Sequence, residues 1–168
     1  MMTLMDRKTY PAPWGISLRV VSSLCVAAAL LVNLLPFFAP AAGRAALALV
    51  GWGMLALLLG AMLFVVRGYT IEPDALAIRR LLWTTRVPRA GLQSVIFTPG
   101  AMRRSLRWCG NGGMFSITGW YRSRALGNYR AFVTDLNQTV VLRWATRTVV
   151  VSPENPEAFA AELSNRKS

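Results

Sequence analysis

The sequence predicts an α+β membrane protein, in which an N-terminal hairpin of two transmembrane helices precedes a β-rich domain of about seven strands with a C-terminal helix. Two long uncharged runs lie almost back to back near the N-terminus. Each run approaches the ~20 apolar residues that are needed to cross ~30 Å of hydrocarbon. Beyond them the apolar residues alternate as in strands, and one helical pattern follows at the end. These observations define the fold class.

The apolar runs set the predicted boundaries of the chain. The N-terminal segment covers residues 1–19, the transmembrane helices cover 20–38 and 45–66, the external loop covers 39–44, the β-rich domain covers 68–164, and the tail covers 165–168. Because only six residues join the two crossings, the crossings must form a hairpin. Both ends of the chain then lie on the same side of the membrane.

The placement of Arg and Lys predicts which side that is. Arg7, Lys8 and Arg19 precede the first run and Arg67 follows the second, whereas the loop holds only Arg44. Positive residues collect on the cytoplasmic side of membrane helices, so both termini are expected in the cytoplasm. A signal peptide cleaved at the small residues of the loop stays open as an alternative, although the first run is longer than a usual signal-peptide core.

The β-rich domain consists of short strand-forming segments separated by turn signals. The predicted strands cover residues 69–72, 75–82, 83–87, 92–98, 127–135, 139–145 and 147–152. Val140, Leu142 and Trp144 alternate along one of them and therefore share a face. A helix follows, because Asn155 can cap it and Pro156 suits its first position. We expect the apolar face of this helix to cover one end of the sheet.

The order of these segments resembles the bacterial pleckstrin-homology-like (PH-like) domain family, in the form that is anchored by two N-terminal transmembrane helices. The resemblance is carried by Tyr69-Thr70-Ile71 with Asp74-Ala75-Leu76, by Arg86-Val87-Pro88, by Gly110-Asn111-Gly112-Gly113-Met114-Phe115 before Gly119-Trp120-Tyr121, and by Val151-Ser152-Pro153 with Pro156-Glu157-Ala158-Phe159. It implies a bent, barrel-like PH-like β-sandwich with a C-terminal capping helix. It also implies a multi-pass protein of the bacterial cytoplasmic (inner) membrane, and a fold that serves as a scaffold for binding.

One feature departs from the better-known eukaryotic PH domains. In those domains a basic early loop binds inositol phosphates, whereas the corresponding turn here, Glu72-Pro73-Asp74, carries two acids. The resemblance therefore argues against inositol-phosphate recognition at that turn.

Composition points to an anionic partner and away from catalysis. The chain has seventeen Arg and two Lys against seven acids, and membrane lipids are the nearest anionic surface for an anchored chain. Nucleic acid is therefore not expected. His is absent, which removes the commonest general base and metal ligand. We predict no catalytic residue, no metal site, no cofactor, and no disulfide between Cys25 and Cys109.

The strongest functional signal is a cluster of arginines in the middle of the β-rich domain. The candidate lipid- or anion-binding residues are Arg103, Arg104, Arg107, Trp108, Arg122 and Arg124. Guanidinium groups beside aromatic rings suit phosphate binding and burial at an interface, and the glycines at 110, 112 and 113 could offer backbone N–H groups to an anion. The alternatives are a solvated basic loop that only sets the membrane topology, and a loop that docks a protein.

The sequence thus predicts a non-enzymatic, membrane-anchored binding module at the cytoplasmic face that engages anionic lipid headgroups through this basic loop. The alternative is a protein-interaction scaffold or a small accessory subunit of a membrane complex. Small residues spaced four apart in both apolar runs leave a homo-oligomer open as well.

Overall fold

The computed structural model describes residues 8–165; Arg7 and residues 166–168 of the predicted tail lie outside the described residues. The helices are α1 (Ile16–Phe38), α2 (Ala41–Leu63) and α3 (Pro156–Asn165). The strands are β1 (Lys8–Pro11), β2 (Val66–Ile71), β3 (Ala75–Arg80), β4 (Thr84–Pro88), β5 (Leu92–Phe97), β6 (Leu106–Gly112), β7 (Ile117–Ser123), β8 (Gly127–Val133), β9 (Val140–Trp144) and β10 (Thr148–Val151).

Helices α1 and α2 are long and apolar enough to cross a membrane. Only 11% and 6% of their most apolar stretches are buried, whereas a core helix of a soluble protein is mostly buried. The two helices are joined by a polar contact, because Asn33 Nδ2 donates to the carbonyl oxygen of Gly51 at 3.1 Å and to that of Ala29 at 2.8 Å. A Cβ atom at Gly51 would lie 2.7 Å from Asn33 Oδ1. Asn33 thus forms a hydrogen bond between the two helices.

The strands form two sheets. One sheet has the order β1-β2-β3-β4 and the other has the order β5-β9-β10-β8-β7-β6. Neighbouring strands are antiparallel except for β8 and β10, which run parallel. The two sheets enclose the main core, and Phe159 and Leu163 of α3 close it. This is the predicted α+β layout, with two apolar helices, a sheet domain and a C-terminal helix.

The second face of the six-stranded sheet is covered by the start of α1. Leu18 is buried there against Ile117, Tyr121 and Tyr129, and the N–H of Gly15 donates to the carbonyl oxygen of Thr134 at 2.9 Å. The hairpin of α1 and α2 and the β-domain are therefore packed together rather than joined by a free linker.

The number of strands differs from the expected seven, because the structure has ten. The three additional strands are β1, β6 and β7. Strand β1 lies in the N-terminal segment, where Lys8 pairs with Ile71 and Pro11 with Gly68. Tyr10 of β1 is buried in the main core and its ring meets Phe159 edge-on at 5.2 Å. The N-terminal segment is consequently part of the β-domain, although α1 and α2 separate the two in the sequence.

Candidate functional site

Four of the six predicted site residues surround one cavity. Arg103 and Arg104 come from the turn before β6, and Arg122 and Arg124 come from the end of β7 and the turn after it. They line a cavity of about 720 Å³ that is completed by Leu106, Ser123, Ala125 and Gly127. We call Arg103, Arg104, Arg122 and Arg124 the arginine rim. The sequence analysis named them as candidates in two separate segments, and their role in binding stays a prediction.

The turn that carries Arg103 and Arg104 is fixed by backbone hydrogen bonds and one buried side chain. The N–H of Gly100 donates to the carbonyl oxygen of Leu136 at 3.0 Å, and that of Ala101 donates to Thr139 Oγ1 at 3.1 Å. Met102 is buried in the second core. Arg104 has a φ of 58°, in the left-handed region that side chains other than glycine rarely adopt. This turn holds the adjacent guanidinium groups of the rim at the surface.

The second half of the rim is held by the β6–β7 ladder. Leu106 pairs with Arg122, and the N–H of Leu126 donates to Ser123 Oγ at 3.1 Å in the following turn. All four rim arginines are exposed, and no ion pair among residues 8–165 involves any of them. The acid-free lining leaves the positive charge of the rim uncompensated, which suits an anionic ligand.

The other two predicted residues lie elsewhere. Trp108 is 74% exposed and lines neither of the two large cavities. Arg107 is separated from the rim because successive residues of a strand point to opposite faces, so Leu106 lines the rim cavity and Arg107 borders a different one. The segment is also less of a loop than expected, because β6 begins at Leu106. Among the glycines that could offer an N–H group to an anion, Gly113 uses its N–H within the chain. The N–H groups of Gly113 and Met114 donate to Asn111 Oδ1.

The second cavity lies between the α1–α2 hairpin and the sheet. Its volume is about 710 Å³. One wall is the C-terminal part of α2, and the floor is the outer part of β6, β7 and β8. It is lined by Ala56, Leu57, Gly60, Ala61, Leu63, Phe64, Arg80, Arg107, Cys109, Gly110, Asn111, Met114, Thr118, Gly119, Trp120 and Arg130. We call this cavity the α2 cleft. It combines an apolar helix wall with three arginines.

Two of these arginines were not among the predicted site residues. Arg80 of β3 and Arg130 of β8 lie near the same aromatic ring, with guanidinium carbons 5.2 Å and 4.9 Å from the centroid of Phe132. Burial, and secondarily the positive charge of Arg130, lower the pKa of Arg80. Trp120 pairs with Arg130 across β7 and β8 and lies 5.8 Å from its guanidinium carbon. The one sequence signal for this pair is Arg130, which lies within the apolar run of β8.

The tip of the β6–β7 hairpin contacts α1 and the residue that follows α2. The N–H of Phe115 donates to Ser22 Oγ of α1 at 2.9 Å, and Ser116 Oγ donates to the carbonyl oxygen of Phe64, which follows α2, at 3.0 Å. The arginine rim lies at the opposite end of the same hairpin. Strands rise by about 3.3 Å per residue, so β6 and β7 separate the rim from the tip by up to about 20 Å.

The remaining candidates for chemistry have structural roles. Ser152 Oγ accepts hydrogen bonds from the N–H groups of Thr134 and Asp135 at 2.8 Å and 3.2 Å. Tyr69 OH donates to the carbonyl oxygen of Phe132 at 2.6 Å, and its complete burial raises its pKa to about 12. In the described part of the chain, no three His, Cys, Asp or Glu side chains cluster as metal ligands. The site can hold an anion through arginines, and nothing adjacent activates a nucleophile.

A β-sandwich that is packed on a hairpin of two helices long and apolar enough to cross a membrane, and that displays arginine-lined cavities, has the architecture of a binding module. The family model described as "Bacterial PH domain" matches residues 67–167. This is more than half of the chain, which therefore belongs to the bacterial PH domain family, and the predicted resemblance is confirmed. PH domains are generally non-catalytic binding modules, and they commonly bind lipids or proteins. No curated protein and no solved structure matches the chain.

Proposed function

We propose that this protein is a binding module of the bacterial cytoplasmic membrane that engages anionic lipid headgroups through the arginine rim. The observation that carries the proposal is the convergence of Arg103, Arg104, Arg122 and Arg124 around one cavity whose lining contains no acid. Guanidinium groups form strong paired hydrogen bonds with phosphate oxygens. Each arginine near an anionic membrane surface contributes about 1 kcal/mol.

The topology proposed for this module has both termini in the cytoplasm. The pairing of β1 with β2 supports it, because the segments before α1 and after α2 then belong to one sheet and lie on one side of the membrane. Lys8, Arg19 and Arg67 flank the hairpin on that side, and the loop holds only Arg44. This distribution favours the cytoplasmic side.

The test uses the full chain, because a fragment that begins at residue 68 lacks β1, part of β2 and the α1 residues that cover the second core. The protein is placed in nanodiscs of neutral phosphatidylcholine and mixed with vesicles of phosphatidylglycerol or of phosphatidylcholine. Flotation of the nanodiscs with the vesicles is measured over a series of salt concentrations. We expect flotation with phosphatidylglycerol vesicles only, and a steep loss of it as salt rises.

The variant Arg104→Gln/Arg124→Gln removes two charges from the rim. At about 1 kcal/mol for each arginine, binding should weaken by about thirtyfold. The matched control is Arg67→Gln/Arg79→Gln, which removes the same charge from exposed positions on the other sheet. Equal weakening by both variants would mean that net charge, and not the rim, attracts the vesicles. No flotation at low salt would refute headgroup binding by the rim.

A second function is favoured by the position of the rim. Because it lies at the end of the β6–β7 hairpin that is farthest from the contacts with α1 and α2, an acidic segment of a cytoplasmic or membrane protein could also reach it. The protein would then be an interaction scaffold or accessory subunit. A partner that co-purifies with the wild type, but not with Arg104→Gln/Arg124→Gln, in the absence of flotation would favour this function.

A further inference from the structure

We infer that the α2 cleft is a second binding site, which takes one anionic glycerophospholipid from the bilayer, with an acyl chain against α2 and the phosphate beside Arg80 and Arg130. This inference is independent of the rim. The α2 cleft and the rim cavity share no lining residue.

The apolar part of the α2 cleft lies on a helix that is long and apolar enough to span a membrane. Ala56, Leu57, Gly60 and Ala61 line it, and residues 56–64 extend over about 12 Å at ~1.5 Å per residue. Nothing lies within 4 Å of a Cβ atom placed on Gly60. The wall is therefore open along its length and apolar enough for an acyl chain.

The polar part of the α2 cleft holds positive charge without a compensating acid. Arg80 and Arg130 are half-buried and lie near the same ring of Phe132. No ion pair among residues 8–165 involves either of them. Arg80 Nε is buried and has no hydrogen-bond partner in the described part of the chain. Bringing two like charges together in a partly buried place is unfavourable unless an anion lies close to both.

The chemistry of the occupant follows from the combination of the two parts. An acyl chain alone would leave the arginines uncompensated, and inorganic phosphate alone would leave the helix wall uncovered. A volume of about 710 Å³ falls within the range of small-molecule sites, about 300–1,000 Å³. A lipid with one anionic phosphate satisfies both halves, and it is present in the layer that α2 would cross.

The test is native mass spectrometry of the full chain released from detergent micelles, titrated with phosphatidylglycerol or with phosphatidylcholine of the same acyl chains. We expect one phosphatidylglycerol to remain bound to the wild type, at least about tenfold more tightly than phosphatidylcholine, because phosphatidylcholine adds to the same phosphate a choline cation that the two arginines repel. Arg80→Gln/Arg130→Gln should lose this preference. The control Arg104→Gln/Arg124→Gln removes the same charge from the rim and should keep it.

A second pair of variants tests the apolar half without changing charge. Gly60→Leu fills the helix wall of the α2 cleft, whereas Gly43→Leu places the same side chain in the first turn of α2, where nothing lies within 4 Å either. Gly60→Leu should lower the bound fraction of phosphatidylglycerol several-fold, and Gly43→Leu should not change it. This pair carries the test if Arg80→Gln/Arg130→Gln does not fold, as judged by its near-UV circular dichroism.

Three results would overturn the inference. The first is equal retention of the two lipids by the wild type, which would mean that the α2 cleft does not select an anionic headgroup. The second is loss of phosphatidylglycerol from Arg104→Gln/Arg124→Gln alone, which would assign the lipid to the rim. The third is a dimer that Gly60→Leu dissociates, with no lipid bound, because a second copy would then occupy the α2 cleft. The vesicle assay of the rim remains informative in each case.

Discussion

Replacing Tyr69 by Phe removes one oxygen atom from the centre of the β-sandwich. The hydroxyl donates to the carbonyl oxygen of Phe132 at 2.6 Å and accepts from the N–H of Ser152 at 3.1 Å. Tyr69 has no exposed surface, so water cannot replace the lost partner. Each buried polar group left without a hydrogen bond costs about 1–3 kcal/mol. We expect the free energy of unfolding to fall by about 3 kcal/mol in Tyr69→Phe.

The matched control is Tyr129→Phe. The hydroxyl of Tyr129 donates to Ser105 Oγ at 2.6 Å, and Ser105 is half-buried, so its hydroxyl can turn to water after the change. The cost should be about 1 kcal/mol or less. Urea unfolding of the full chain in detergent micelles, followed by tryptophan fluorescence, measures both variants. A loss in Tyr69→Phe no larger than that in Tyr129→Phe would refute the argument from burial.

The same hydroxyl predicts how stability depends on pH. Its pKa rises from an ordinary value of 10.0 to about 12 in the fold, because burial disfavours the phenolate. The fold therefore holds the proton more tightly than the unfolded chain does. The stabilisation is fully present below pH 10 and is lost as pH rises toward 12, by about 3 kcal/mol in all. Burial also raises the pKa of other tyrosines, so the difference between wild type and Tyr69→Phe isolates this one.

Three further changes test other parts of the structure. Tyr10→Ala removes a buried ring of β1 that packs against α3, which should cost about 3–5 kcal/mol in the urea assay; a loss below 1 kcal/mol would mean that β1 is not part of the sheet. Asn33→Leu removes the hydrogen bond to Gly51 and should weaken helix pairing by about 0.6 kcal/mol or somewhat more, as measured by unfolding of the hairpin in micelles. Gly119→Ala places a Cβ atom against the carbonyl oxygen of Cys109 at a φ of 140°, so amide exchange in β6 should accelerate; unchanged protection would contradict this close approach.

The parts of the fold that the sequence predicts are those with a strong local pattern. The two apolar helices have long apolar runs, and the C-terminal helix has capping residues at its start. Each of these patterns can be recognised without knowing which elements pack nearby. Strand β6 lacks such a pattern, because six of its seven residues are exposed and two of them are glycines. Strand β1 has only four residues and ends at Pro11, and its partner Gly68 lies far along the chain. Pairing between strands so far apart in the chain produces no local sequence pattern that could predict it.

The same distinction applies to the candidate sites. The four arginines of the rim were among the predicted residues because they form two close pairs in the sequence, and the β6–β7 ladder, which was not predicted, brings the two pairs together. Arg107 follows Leu106 in a strand and therefore lies on the other face, beside the α2 cleft, which could not be inferred without β6. Arg80 and Arg130 meet only because two strands from different sheets approach the ring of Phe132. Such a pair can be found only from tertiary structure.

The pairing of β1 with β2 also constrains the order of events during synthesis. The ribosome produces Lys8–Pro11 before either helix, and the partner strand Val66–Ile71 only after both. A flexible connection of this length would make the closure of the sheet entropically costly. A helical hairpin that has entered the bilayer instead returns the chain to its starting point and acts as the turn between the two strands. Completion of the sheet would then follow correct insertion, and a chain that failed to insert would display the unpaired edge of β2.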